Sequence, residues 1–136
     1  MATYTVKQLS QKLNISEHTI RFYDDQGLLP DVQRDKNGTR LFTDDNIEWI
    51  NLVLCLRNTG MSITDIKNYI KLCKEGDSTV HQRYQIILKQ KEKAEADLLQ
   101  MQKRLSILNM KQKFYEDMLA GNNPDACNPA TKQHSA

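Results

Sequence analysis

An all-α fold with one small β-hairpin wing, continued by a long dimerising helix, is the architecture this chain of 136 residues predicts. Three observations carry that prediction. Short amphipathic stretches in the first 76 residues open on Ser or Thr caps and close on Asn or Gly. One Asn-Gly pair, Asn37-Gly38, lies between two strand-prone runs. From about Thr79 to Leu119 there is neither Gly nor Pro, and apolar residues recur in alternating steps of four and three.

Taken in order, Thr5 and Gln8 form a capping-box pattern, and Val6, Leu9 and Leu13 give the stripe of a short helix that Asn14-Ile15 breaks. Ser16 caps a second helix, with Ile15 and Ile20 placed to close a hydrophobic staple. Gly27 ends it, and Leu28-Leu29-Pro30 leads away extended. Val32-Gln33-Arg34 and Thr39-Arg40-Leu41-Phe42 then flank Asp35-Lys36-Asn37-Gly38 as a hairpin, both turn residues tolerating positive φ. Thr43 caps a third helix, 44–58, whose first-turn aspartates suit the helix dipole. Ser62 opens a fourth that runs to about Lys74 and closes at Gly76. Two capped helices across a tight turn, followed by a wing, are the layout of a winged helix-turn-helix, a DNA-reading module.

The long helix carries Val80, Tyr84, Ile87, Lys91, Ala94, Leu98, Met101, Leu105, Leu108, Gln112, Tyr115 and Leu119 on one seam. A rod of about 60 Å with such a seam cannot bury it alone, so an obligate dimer is expected. The expected domains are a DNA-binding head over 1–76, a dimerisation helix over 77–120 and a disordered tail over 121–136, rich in Asn, Pro and Ala.

Bulk properties exclude several classes. No signal peptide and no transmembrane run are expected, and an odd, scattered set of cysteines (Cys55, Cys73, Cys127) argues for a reducing, cytoplasmic setting. The net charge of +2 is small. Residues 1–78 carry ten Lys and Arg against eleven Asp and Glu, so phosphate contact must come from local placement of charge and not from a cationic field. No phosphate loop, nucleophile elbow or His-Glu-x-x-His stands in the chain, and its three histidines are scattered, which speaks against an enzyme. A coiled-coil scaffold without regulatory DNA binding would explain the rod but has no need of the wing.

The run TIRFYDDQGLLP, the wing NGTRLF, the stretch LRNTGMSITDIKNYI and the long helix behind them resemble the MerR family of bacterial transcription regulators, over Tyr4 to about Leu119. Within it the chain looks most like the thiol- or aldehyde-responsive branch, which has a cysteine in the third helix at the place of Cys55. The resemblance implies a homodimer with antiparallel long helices, the second helix of each subunit in a major groove of double-stranded promoter DNA and the wing on the flanking backbone. It also implies RNA polymerase as a partner, brought to an over-long promoter spacer by bending and untwisting it, a form of deformation readout. No cofactor and no membrane contact are expected.

A helical wheel puts Glu17, His18, Arg21 and Asp25 on one arc of the second helix and Ile20 and Tyr23 on the other. His18 and Arg21 are donors suited to phosphates or purine edges, and Glu17 can accept from cytosine N4. Phe22 matches the family's first aromatic, near the DNA backbone, and Arg40 its wing arginine, expected to clamp a phosphate. Arg34 and Lys36 are candidates to assist. Taken alone, each of these residues reads more readily as a solvated surface side chain, and it is the scaffold that turns the reading toward DNA contact for Arg21 and Arg40.

The cysteines read differently from one another. Cys55 falls on the polar side of the third helix with Glu48, Asn51 and Asn58, which fits an accessible sensor thiol or a small residue tolerated at a helix contact. Cys73 shares a stripe with Ile63, Ile66, Tyr69 and Ile70 and is expected in the core; Cys127 is a resolving thiol, a metal ligand or neither. A metal-responsive alternative would use Cys127, His81 and His134, but no C-x-x-C or C-x-C pair supports a closed site, and no metal ligands are assigned. An apolar effector finds little room, because the chain ends soon after the rod. The sequence therefore predicts a cytoplasmic, dimeric regulator with Cys55 as its electrophile switch.

Overall fold

The computed structural model describes residues 2–121, 124–125 and 127–130. Its elements are β1 (Thr3–Tyr4), α1 (Val6–Leu13), α2 (Glu17–Asp25), β2 (Gln33–Arg34), β3 (Arg40–Thr43), α3 (Asp44–Asn58), α4 (Ile63–Glu75) and α5 (Val80–Leu119). A mostly helical chain with a small sheet and a long C-terminal helix matches the expected class. Two compact units divide it, Met1–Ala94 and Glu95–Ala136.

Helix starts in the first unit follow from their caps. Thr5 Oγ1 accepts from Gln8 N–H at 3.2 Å while Gln8 Oε1 accepts from Thr5 N–H at 2.9 Å, a complete capping box. Ser16 Oγ accepts from Thr19 N–H, and Ser62 Oγ from Asp65 N–H. Thr43 caps α3 as expected, with Asn46 as its reciprocal partner. Stops are equally local: Asn14 adopts a left-handed conformation (φ 55°) after α1. After α2, Gly27 (φ 74°) lets Leu28 N–H reach Tyr23 C=O at 3.0 Å and its own N–H reach Asp24 C=O at 2.9 Å. These two bonds form a Schellman motif.

Buried side chains of Leu9, Ile20, Tyr23, Leu28, Leu29, Phe42, Ile50, Val53, Leu56, Met61, Ile66 and Ile70 form one core in this unit. The sheet order is β1-β3-β2, both pairings antiparallel, with Thr3 opposite Thr43 and Arg34 opposite Arg40. Strand β1 is not expected from the sequence; two residues are too few for a visible alternation. The wing turn also differs from the expected geometry. Only Gly38 has positive φ (79°), and Asp35 N–H donates to Thr39 C=O while Gly38 N–H donates to Asp35 C=O. The loop is a three-residue hairpin closed by a glycine in the left-handed region, so Asn37 never needs positive φ. A short 3-10 turn, Asp77–Thr79, intervenes before α5.

The start of α5 belongs to this head unit: Ile86 packs against its core and Gln90 Nε2 donates to Thr59 C=O at 2.9 Å. Cys73, expected in the core, is half-buried.

In the second unit α5 continues without interruption to Leu119, and no α5 residue is buried. Leu98, Met101, Leu105, Leu108, Tyr115 and Leu119 of the seam are exposed, as are Leu99, Ile107 and Met110, which lie off it. Among the described tail residues, Asp125 Oδ2 accepts from Asn128 Nδ2 and Asn128 Oδ1 accepts from Ala130 N–H, a local turn. The other positions of the tail expected to be disordered lie outside the described residues.

Candidate nucleic-acid interface

Helix α2 is held in rotation by Ile20, fully buried, and Tyr23, 6% exposed. That burial turns Glu17, His18 and Arg21 outward, and all three are exposed. Arg21 and Glu17 approach to 4.0 Å with each side chain about half exposed, a weak pair that leaves both free to contact another molecule. Phe22 is 39% exposed beside this arc, its ring tilted against that of Tyr23 with centroids 6.1 Å apart. A hollow of about 260 Å³ lies between His18, Thr19, Phe22, Tyr23 and Arg57. Arg57, at the end of α3, donates through Nη1 to Met61 C=O at 3.2 Å and is exposed. Sequence reasoning missed it, since Arg57 lies 32 positions beyond Asp25, the end of α2 (57 − 25).

The wing tip is organised by Asp35, whose Oδ1 accepts from Asn37 N–H at 2.8 Å and Thr39 N–H at 2.9 Å. Arg34 Nη1 donates to Gly38 C=O at 2.8 Å, and Lys36 is exposed at the tip. Arg40 is placed differently from the other candidate cations. Its Nη2 donates to Asp25 Oδ1 at 2.7 Å, and its Nε stands 3.0 Å from Asp24 Oδ2. The second contact is an ion pair without hydrogen-bond alignment, since Nε is buried with no hydrogen-bond partner. The side chains of Arg40 and Asp24 are 15% and 16% exposed, that of Asp25 62%. Burial pushes the Asp24 carboxyl above its ordinary value of 3.8, although the Arg40 charge pulls it down. Helix α2 and the wing are thus joined by the residue expected to hold a phosphate.

Cys55 is exposed on α3, and Cys127 is exposed among the described tail residues. His81 is exposed at the start of α5; His134 lies outside the described residues. Among the described residues no group of three or more His, Cys, Asp or Glu side chains is placed to hold a metal ion. No described helix is long and apolar enough to cross a membrane. Against the expectation that an effector would find little room, the head unit has more than one hollow, including one of about 410 Å³ lined by Asn58, Thr59, Ile87, Gln90, Lys91 and Ala94. A hollow of about 400 Å³ lies between the Pro30–Gln33 segment and α3, walled by Trp49 and Leu52 and rimmed by Asp31, Asp45 and Glu48.

Comparison with known proteins places this geometry. A family model described as "MerR HTH family regulatory protein" matches residues 4–73. An uncharacterized HTH-type transcriptional regulator of Haemophilus influenzae is 40% identical over 114 residues, 84% of each chain. The solved structure of HiNmlR, described as a MerR family regulator lacking the sensor domain and bound to promoter DNA, is 39% identical. It superposes with a TM-score of 0.69 over 88% of this chain and 94% of its own. A MerR family transcriptional regulator from Bacillus thuringiensis is 33% identical, with a TM-score of 0.64 over 85% of this chain and 99% of its own.

Proposed function

Because the chain belongs to the MerR family of helix-turn-helix regulatory proteins, we propose that it binds promoter DNA as a homodimer and sets transcription by distorting the duplex. It is a DNA-binding transcription regulator and not an enzyme. The observation that carries the DNA-binding assignment at residue level is the outward arc of α2. Glu17, His18 and Arg21 face solvent because Ile20 and Tyr23 are locked in the core. His18 and Arg21 donate to phosphates or purine edges, Glu17 accepts from cytosine, and Phe22 lies along the sugar-phosphate backbone. Arg34 and Lys36 at the wing hold the flanking strand, and Arg57 adds a cation on the other side of Phe22. Arg40 belongs to the same surface.

The exposed seam of α5, from Leu98 to Leu119, supports the homodimer, since a second copy covers it with matching residues. RNA polymerase meets the distorted promoter in the cytoplasm. Cys55 is the switch in this reading: its thiolate takes up an aldehyde or another electrophile, and the adduct favours one spacing of the two heads over the other. Exposure of Cys55 on α3 supports that role.

Transcription in vitro from the region upstream of the gene tests the whole reading. Reduced wild type and Cys55→Ser are compared with and without a small aldehyde. An aldehyde response present in wild type and absent in the variant is expected. Equal responses in both would remove Cys55 from the mechanism, and no effect of either protein on transcription would remove promoter control itself.

A further inference from the structure

The wing strands set Arg34 and Arg40 directly opposite each other. Two like charges in that register repel, so the hairpin by itself is electrostatically unfavourable. Both carboxylates that relieve it come from the end of α2: Asp24 on Arg40 Nε at 3.0 Å, and Asp25 on Nη2 at 2.7 Å. Arg34 also lies close enough to Asp24 to act on its charge. Four charges on three elements therefore balance to zero, and only Asp25 of the Arg40 clasp is mostly in solvent.

Resting on the DNA-binding reading, we propose that Arg40 is a positioning residue: the Asp24–Arg40–Asp25 clasp sets the wing on the recognition helix, and DNA phosphates are met by other cations. Two observations separate this from a phosphate clamp. A clamp needs a guanidinium edge turned to solvent, whereas Arg40 is 15% exposed and two of its nitrogens already face carboxylates. A clamp also needs local positive potential, and Arg40 and Arg34 with the two aspartates carry no net charge. At Asp24 itself the ion pair does not offset the loss of water, because burial lifts its pKa despite the cation beside it. What the clasp does supply is geometry. Arg40 stands at the start of β3 and Asp24 in the last turn of α2, so joining them fixes the angle between the two DNA-reading parts.

The test uses the full-length protein and the duplex that wild type enriches from a random-sequence pool, with Kd measured over a salt series. Wild type is compared with Asp24→Asn, Arg40→Met and the double variant. Positioning predicts that each single change weakens binding by about tenfold and that the double variant is little worse than either, as expected for residues in direct contact. The slope of log Kd against log salt stays that of wild type, because the same phosphates are still neutralised. Lys36→Met is the control, and its slope falls by about 0.9 for each phosphate that the lysine neutralised.

A clamp gives the opposite signs. Removing the Asp24 charge would tighten binding by lowering repulsion and freeing Arg40, and Arg40→Met would flatten the salt slope. Either result overturns the proposal, as does unchanged affinity in Asp24→Asn. Unfolding midpoints measured on the same samples separate loss of the fold from loss of the clasp. Should a variant melt substantially lower than wild type, Arg40→Lys decides: it retains the charge but not the two-sided geometry, and positioning requires it to bind weakly with an unchanged slope. Failure of wild type to enrich any duplex would overturn the DNA-binding reading itself, and with it this inference.

Discussion

The head and the second unit use the same apolar residue types in opposite ways. In Met1–Ala94, Leu9, Ile20, Leu28, Phe42, Ile50 and Val53 are fully buried, and α1 to α4 each open on a side-chain cap. In Glu95–Ala136, Leu98, Met101, Leu105 and Leu108 are more than half exposed. The head is a self-sufficient core, whereas the helix carries apolar surface of a kind that a lone helix cannot retire from water. The recognition proposed for this chain therefore lies in the unit that has its own buried core, and the proposed pairing lies in the unit that has none.

Four changes would break or sharpen that contrast. The largest effect is expected for Phe42→Ala, which empties a fully buried aromatic site in the head and costs about 3–5 kcal/mol. Urea denaturation should show the same loss at every protein concentration. Leu105→Glu should act through assembly instead, weakening it by about 2 kcal/mol or more per seam residue. Sedimentation velocity should then show monomers where wild type shows dimers, with the head still folded by circular dichroism. A Leu105→Glu protein that stays dimeric would mean that the seam is not the interface.

Asn46→Ala is next. Asn46 is 1% exposed, donates to Pro30 C=O at 2.8 Å and accepts from Thr43 N–H at 2.9 Å. Removing it leaves buried backbone groups unpaired at a cost of about 2 kcal/mol, read as a lower melting temperature of the head. The smallest effect is expected for Asp24→Asn on stability. Burial raises the Asp24 pKa in the folded chain above its ordinary 3.8, so the folded state binds that proton more readily than the unfolded one. Its contribution is fully present below 3.8 and is lost as pH rises through the raised folded value. At neutral pH the asparagine variant should melt no lower than wild type, and the difference between the two should shrink as the solution is acidified. A variant that melts much lower at neutral pH would contradict that sign.

The contrast also explains what could be read from the chain directly. Bounds of α3 and the caps of α1, α2, α3 and α4 depend on residues within four positions of one another, and those were legible. The exposed arc Glu17, His18, Arg21 followed from the helical period alone, and so did the exposure of Cys55. Features that depend on distant partners were not legible. Asn46 reads as a polar first-turn residue until Pro30 is brought over it, and Arg40 reads as a free wing cation until α2 delivers Asp24 and Asp25. Arg57 joins Phe22 only once α3 has packed against α2. Leu99, Ile107 and Met110 have no place on the heptad seam, so the period that found the seam could not anticipate that they would be exposed with it.

The most direct test of the account is the mass of the complex formed with the enriched duplex, measured by sedimentation velocity at a protein concentration well above its Kd. Two protomers on one duplex, reduced to free DNA when Arg21 is changed to Ala, is the result predicted for two self-sufficient heads joined through α5. A complex of one protomer per duplex, or one that Arg21→Ala leaves intact, would contradict it.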